Sequence, residues 1–490
     1  MTPKISKIIS KVSALVAAQK RVEAFELIGK ALGRFPKSWE LHNELGRMLL
    51  DLGKFSEALD VFEVVCGLAP DNTAGLLNKA VCFEGLGRSF EAVEVLQSVL
   101  VRHPTLVRAY VNLSASFYSL GMMKEALFCC DTALSLDPCD QNALCNKAAA
   151  LVQLREFDSA LFFYGRAIEV KHDYFDAIFN RALCHFHVGN FGSAWDDYEA
   201  RKKKTIPFAA RSFSFPEWDG SSSKEQCLFV WSEQGIGDEI MFCSMLRGLE
   251  GGVKRLVVEL DSRLIPLFSR SFPQLAFLPK TSAFPGECDC HVAMGSLGRF
   301  RRRSFVDFGS GQGFLSADPL LAANFKKRLS PDGKLLVGVS WISKNEKVGL
   351  FKSISLERFL SIFVGMPVRV VSLQYSDDLT SFNDLASALK LDVADGSFVD
   401  KFNDLDALSA LIEACDLVIS ISNVTVHLAG SLGKACWVLL PFVPDWRWGA
   451  SGDSSPWYSS LTLFRQSIRN DWTFVLDNVR GRLINWTASR

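Results

Sequence analysis

Glu233, Asp238 and Glu239 place three carboxylates around one glycine-bearing stretch, Trp231 to Phe242 (WSEQGIGDEIMF), which reads as a strand, a loop and a helix start. A site that needs a base has use for such groups, whereas a pure phosphate cradle does not. Gly235 and Gly237 let backbone approach a ligand, and the amides that follow open a helix N-terminus suited to an anion. The plainer reading of the same residues is a tight turn with Asp238 as the helix cap.

A second cluster lies in Ser420 to Trp448 (SISNVTVHLAGSLGKACWVLLPFVPDWRW). Asn423, Thr425 and His427 fall where a strand yields to a helix opening near Thr425, and Ala429, Gly430 and Gly433 let that helix lie close to a sheet. His427 is either a satisfied core histidine or a group facing a ligand. After the next strand Trp446 and Trp448 flank Arg447, a set that suits stacking on a base or sugar with a phosphate paired to the guanidinium. A structural aromatic cluster is the alternative. Cys288, Asp289, Cys290 and His291 match no zinc spacing, so no metal is expected there. Arg299 to Arg303 reads as a solvated turn or a contact for an acidic partner.

Two architectures must carry these residues. From Cys227 onward, apolar runs (Cys227 to Trp231, Arg255 to Leu260, Cys290 to Met294, Leu335 to Trp341, Val368 to Gln374, Asp416 to Ser420, Ala435 to Leu440) alternate with helical stretches. That alternation predicts parallel sheets covered on both faces. The Ser330-Pro331-Asp332-Gly333 turn divides the region into two lobes, with a cleft at the carboxyl ends of their strands.

The first half repeats itself. Alanine recurs at 24, 58, 92, 126, 160 and 194 and proline at 36, 70, 104 and 138, each a step of 34 residues, the tetratricopeptide period. Glycine marks one turn at Gly53, Gly87, Gly121 and Gly189, with Arg155 the exception. Five helix pairs are predicted over residues 39 to 205, preceded by a partial or divergent one. Asn43, Asn78, Asn112, Asn146 and Asn180 share one phase of the first helices. A ladder of amides in the groove can hydrogen-bond an extended peptide without reading its sequence; local capping or inter-helix bonding is the alternative.

Composition narrows the function classes. The 490 residues carry 54 Lys+Arg against 54 Asp+Glu, which gives no basic surplus for nucleic acid. No apolar run is long enough to span a bilayer, and lysines at 4, 7, 11 and 20 break any signal-peptide core. The thirteen cysteines contain no C-x-x-C, so a cytoplasmic, reducing location is expected.

The motifs EQGIGDEIMF, VGVSW, SLQ, DLVIS, HLAGSLGK, WVLLP, PDWRW, SPWY and LFRQ follow the repeats in that order. On them the chain resembles bacterial tetratricopeptide proteins whose C-terminal part is similar to heptosyltransferase-like glycosyltransferases of the GT-B fold. The resemblance implies an α solenoid over 1–206, then an α/β GT-B fold of two Rossmann-like lobes: an acceptor lobe over 207–331 and a nucleotide-sugar donor lobe over 332–490. It implies an inverting, metal-independent enzyme with no cofactor beyond the nucleotide-sugar co-substrate, and a protein or peptide acceptor held by the repeats. Asp238 matches the general base. Ser340, Lys344, Gln374, Asn423, Thr425, His427, Trp446 and Arg447 fall on the donor side, with Lys347 and Lys352 as further candidate cations. Glu233, Gln234, Gly235, Gly237 and Glu239 fall on the acceptor loop. Two departures stand out: Ser422-Asn423 where many relatives carry Asp-Thr, and Lys352 where many carry arginine. Alternatives to a Ser/Thr protein transferase, with flagellin as one possible target, are a glycan or lipid-linked acceptor, or a non-catalytic scaffold with decayed lobes.

Overall fold

The computed structural model describes residues 2–204, 211–221, 223–249, 251–280, 288–344, 349–375 and 379–490. They form two compact units, Met1–Ala177 and Ile178–Arg490.

The first unit is a helical solenoid of α1 (Pro3–Ala17), α2 (Arg21–Arg34), α3 (Trp39–Leu50), α4 (Phe55–Leu68), α5 (Thr73–Gly85), α6 (Ser89–Arg102), α7 (Val107–Ser119), α8 (Met123–Leu136), α9 (Gln141–Gln153) and α10 (Phe157–Val170); α11 (Phe175–His187) straddles the division. Ala24, Ala58, Ala92, Ala126 and Ala160 are at most 1% exposed, so the residue type follows from the close approach of the paired helix. Phe62, Leu96, Cys130 and Tyr164, four positions on, are buried with them. Pro36, Pro70, Pro104 and Pro138 each fall two residues after a second helix ends, as the restriction on the residue before proline requires.

Two expectations change. The N-terminal segment is a complete helix pair: Ile5 and Val12 of α1 pack with Ala24, Ile28 and Ala31 of α2 and Leu41 of α3. Arg155 is no exception to the turn, because it adopts φ 65 beside the 70, 72 and 76 of Gly53, Gly87 and Gly121. The left-handed turn belongs to the repeat, and an arginine at that position is held there by its neighbours' geometry.

The asparagine phase is partly consumed inside the solenoid. Asn78 is buried, donates to Asn43 Oδ1 at 3.4 Å and accepts from Arg108 at 3.4 Å. Asn146 donates to Ser114 Oγ at 3.0 Å and to the Val111 carbonyl at 3.2 Å. At these positions the inter-helix alternative applies, because each amide already bonds the preceding repeat. Asn112 keeps a buried Nδ2 with no partner among the described residues, and Asn180 is half-buried in α11.

The second unit begins before residue 206. It includes most of α11, then α12 (Phe191–Tyr198) and a 3-10 turn, Glu199–Lys202. These pack as part of the α/β region, where Trp195, Tyr198 and Arg201 are almost fully buried. The first lobe contains β1 (Ser223–Trp231), α13 (Ile236–Cys243), β2 (Val253–Leu260), α14 (Ile265–Ser271), β3 (Ala276–Pro279), β4 (Cys290–Ala293) and α15 (Gly298–Arg301), in a parallel sheet of order β3-β2-β1-β4.

The second lobe follows α16 (Pro319–Leu329). It comprises β5 (Leu335–Ser340), α17 (Gly349–Lys352), α18 (Leu356–Leu360), β6 (Val368–Ser372), α19 (Leu379–Ala388), β7 (Val393–Ala394), α20 (Leu405–Ala414), β8 (Leu417–Ile421), α21 (Val424–Ser431), β9 (Cys436–Leu440), β10 (Leu461–Arg465) and α22 (Thr473–Ala488). Its parallel order, β10-β9-β8-β5-β6-β7, is that of a doubly wound sheet and reverses between β5 and β8. Val337, Val339, Leu417, Ile419, Ile421 and Leu439 make its centre, each fully buried, which is why these strands read as mostly apolar runs. Among the described residues no helix is long and apolar enough to cross a membrane.

Candidate functional site

The switch point between β5 and β8 is built from polar side chains that bond one another. Gln374 Oε1 accepts from Ser340 Oγ at 2.9 Å and from the Trp341 and Ile342 amides at 3.1 and 3.0 Å. Ser340 Oγ accepts in turn from Asn423 Nδ2 at 2.7 Å. Asn423 Oδ1 takes the Thr425 amide at 3.1 Å and so caps α21. Ser340 and Gln374 are therefore not open to a donor; they fix the loops after β5 and β6 and orient the asparagine. Thr425 presents a loose end of this chain of bonds: its Oγ1, like Trp341 Nε1, is buried and has no partner among the described residues.

Facing that helix, α13 starts at Ile236 with Gly235 as its N-cap and no side-chain cap, which sets aside the reading of Asp238 as the cap. Gly235 is exposed, with φ −81, and a Cβ there would come no nearer than 3.6 Å to Asp238. Gly237 is the tight position. A Cβ on it would stand 2.9 Å from His427 Cδ2, so glycine is required for α13 to pass the imidazole of α21. Gly237→Ala is expected to overpack this seam and cost about 1–3 kcal/mol, read as a lowered thermal midpoint.

The three loop carboxylates do not converge. Glu233 receives Arg201 through Nη2 at 2.7 Å and Nε at 3.0 Å, together with the Gly295 amide at 2.9 Å. Glu239 is buried and accepts from Ser232 Oγ at 2.6 Å, the Asp261 amide at 2.7 Å and Lys280 Nζ at 2.5 Å. Both are structural because burying a charge demands this many partners. Gln234 is likewise engaged, by Tyr198. Asp238 alone turns to the other lobe, where Arg447 Nη2 donates to it. Arg447 Nη1 donates to Asp445, whose other oxygen lies 3.8 Å from Lys352 Nζ.

The expected lone base is thus one end of an Asp238–Arg447–Asp445–Lys352 row across the seam between lobes. Burial pulls the Arg447 guanidinium down to about 10, still well above neutrality, so Arg447 brings a positive charge to the row at pH 7.

His427 is a packed histidine. Its Nδ1 lies 3.1 Å from Tyr458 OH and its ring sits 5.4 Å from that of Trp448, and burial, with Lys352 nearby, holds it down at about 3, hence neutral. The indoles are also committed. Trp446 stacks on Phe186 at 4.3 Å, and Trp448 donates to Ser422 Oγ at 2.7 Å. They are a structural cluster in this conformation, since both faces meet protein. Lys344 is exposed beyond β5, and Lys347 lies outside the described residues. Among the described residues no group of His, Cys, Asp or Glu could hold a metal ion.

Sequence reasoning missed Arg201. It completes a buried stripe with Ala194 and Tyr198, and an arginine on an apolar stripe signals a partner elsewhere. The Arg299–Arg303 run is partly exposed but engaged within the fold: Arg303 pairs with Asp196 of α12 at 2.8 Å, and the Arg302 carbonyl accepts from Trp195 Nε1 at 2.7 Å.

Family models described as tetratricopeptide repeat match residues 10–73, 74–105 and 107–138. A curated relative, Protein FlbA of Caulobacter vibrioides, is 29% identical over 332 residues, 63% of this chain and 55% of the relative, so the chain spans about half the length of the protein it matches. Among solved structures, a thermophilic tetratricopeptide protein of Thermus thermophilus is 20% identical, covering 37% of this chain and 98% of that one, with a TM-score of 0.34. MamA of Desulfovibrio magneticus RS-1 is 19% identical, covering 35% and 97%, with a TM-score of 0.31. The chain carries tetratricopeptide repeats at its N-terminus, followed by a region of parallel sheets and helices.

Proposed function

We propose that the chain is a glycosyltransferase of GT-B type, moving a sugar from a nucleotide-activated donor to Ser or Thr hydroxyls of a polypeptide bound by the repeats. The observation that carries this reading is the position of Asp238, the one loop carboxylate aimed from the first lobe at the second, opposite Arg447 and the capped start of α21. In the proposed step the acceptor hydroxyl attacks the anomeric carbon, its proton passes to the Asp238 carboxylate, and the bond to the donor phosphate breaks with inversion. Arg447 and the amides opening α21 would receive the departing negative charge. The Thr425 hydroxyl, buried and without a partner among the described residues, adds a hydrogen-bonding group at the same helix end.

A scaffold with inactive lobes is the second reading, favoured by the packing of Trp446, Trp448 and His427 and by the engagement of Asp238. A panel of nucleoside mono- and diphosphates, scored by thermal stabilisation, separates the two. A nucleotide present at 100 times its dissociation constant adds about 2.7 kcal/mol, an upward shift of several degrees. No shift with any member would favour the scaffold.

A further inference from the structure

We propose that Cys227 and Cys288 are a reversible redox pair that closes to a disulfide on exposure to a peroxide. The inference is independent of the transferase reading. Cys227 lies in β1 and Cys288 just before β4, on neighbouring parallel strands whose register sets Leu228 against Cys290. The backbone between them is fixed from both sides: the Cys227 amide donates to Asp289 Oδ2 at 2.7 Å, and the Asp289 amide donates to the Cys227 carbonyl at 2.9 Å. The register sets Asp289 opposite Cys227, and Cys288, just before the strand proper, packs in the same apolar cluster as Cys227. The sulfurs already stand 2.9 Å from each other, and both cysteines are free thiols.

Access and order of reaction follow from burial. Cys227 is buried beside Phe229 and Trp231, while Cys288 is half-buried and meets the oxidant first. The Cys288 thiolate attacks one oxygen of hydrogen peroxide and breaks the O–O bond; after proton transfer the products are a sulfenic acid and water. The Cys227 sulfur then displaces the hydroxyl from the sulfenic sulfur, forming the S–S bond and a second water. Two thiols and one peroxide give one disulfide and two waters, so the electrons balance. Burial, with the Cys227 sulfur alongside, pushes the Cys288 thiol up to about 12, so thiolate is scarce at neutral pH and the reaction should quicken as pH rises.

The test treats the reduced full chain with hydrogen peroxide at pH 7 and pH 9, then maps peptides without reductant. The expected product is a Cys227–Cys288 cross-linked peptide, about 2 Da lighter than its two thiol parts, formed faster at pH 9 and reversed by dithiothreitol. Titration after unfolding should find two of the 13 thiols lost in the wild type and none in Cys288→Ser. Cys227→Ser, with Cys288 intact, should stop at a sulfenic acid on Cys288. Retention of all 13 thiols at both pH values, or bridging of Cys288 to Cys290 in place of Cys227, would overturn the pairing.

Discussion

Asp238→Asn is expected to lower transfer to a Ser or Thr acceptor by about 10²–10⁴-fold, the span over which a positioned general base usually contributes. Nucleotide affinity should stay close to wild type, because Arg447 and the start of α21 are left in place. The amide keeps the volume of the carboxylate and can still accept from Arg447, so the fold has little reason to change. The structure adds a condition to this result. With Arg447 donating to it, Asp238 has part of its lone-pair capacity occupied, so a donor phosphate that draws Arg447 away would make the carboxylate a better proton acceptor. Turnover should therefore be measured with saturating donor, in the chain with an unperturbed thermal midpoint. Wild-type turnover in the asparagine variant would remove Asp238 from the mechanism and leave the lobes without a candidate base.

Loss of Arg201 is the largest stability effect the structure predicts. Its guanidinium is fully buried and meets Glu233, Glu199 and Ser296, with Glu199 at 2.8 Å from Nη1. Arg201→Ala leaves two carboxylates without their cation and is expected to cost about 3–5 kcal/mol, lowering the midpoint of the α/β unit by roughly 10 °C. Replacing Arg201, Glu199 and Glu233 together by apolar residues of similar volume should recover much of that loss, which would assign the cost to orphaned charge.

Acid gives an independent reading of the same cluster. Burial alone would raise the Glu199 carboxyl, but the charges of Arg201 and Lys202 outweigh it and hold the group at about 2, against an ordinary 4.5. The folded state thus favours the ionised form. Glu199 contributes its full stabilisation, roughly 3 kcal/mol, above pH 4.5 and loses it as pH falls through that value toward 2. His427 acts in the same direction at higher pH: held at about 3 in the fold and near 6.5 when unfolded, it withdraws stability as pH falls below 6.5. Thermal midpoints measured from pH 7 to pH 3 should fall in both windows for the wild type, and the lower window should flatten in Arg201→Ala. A midpoint independent of pH over that range would contradict both assignments.

Much of the architecture was legible as periodicity. The 34-residue spacing of alanine and proline determined the helix pairs and their ends, because packing clearance and a missing amide donor act locally. Seven of the strands were legible for a related reason: those at the sheet centres, such as β5 and β8, are mostly apolar, so their burial is written in composition. The strands missed, β3, β7 and β10, all lie at sheet edges, where short length or partial exposure erases that signal.

For the site, residue types alone marked Glu233, Asp238 and Glu239 together, along with Asn423, Thr425, His427, Trp446, Arg447 and Trp448; the choice of Asp238 rested on the resemblance. Which carboxylate faces the other lobe was beyond them. Glu233, Asp238 and Glu239 lie within seven positions of one another, yet Arg201 takes the first and Ser232, Lys280 and the Asp261 amide take the last. The same holds for Trp446, whose ring is covered by Phe186 from 260 positions earlier in the chain. Local spacing specifies helices, turns and strand cores because those depend on neighbours in sequence. The partner of a charge or an aromatic face is set by whatever distant segment folds against it, and that is decided only when the chain packs in three dimensions.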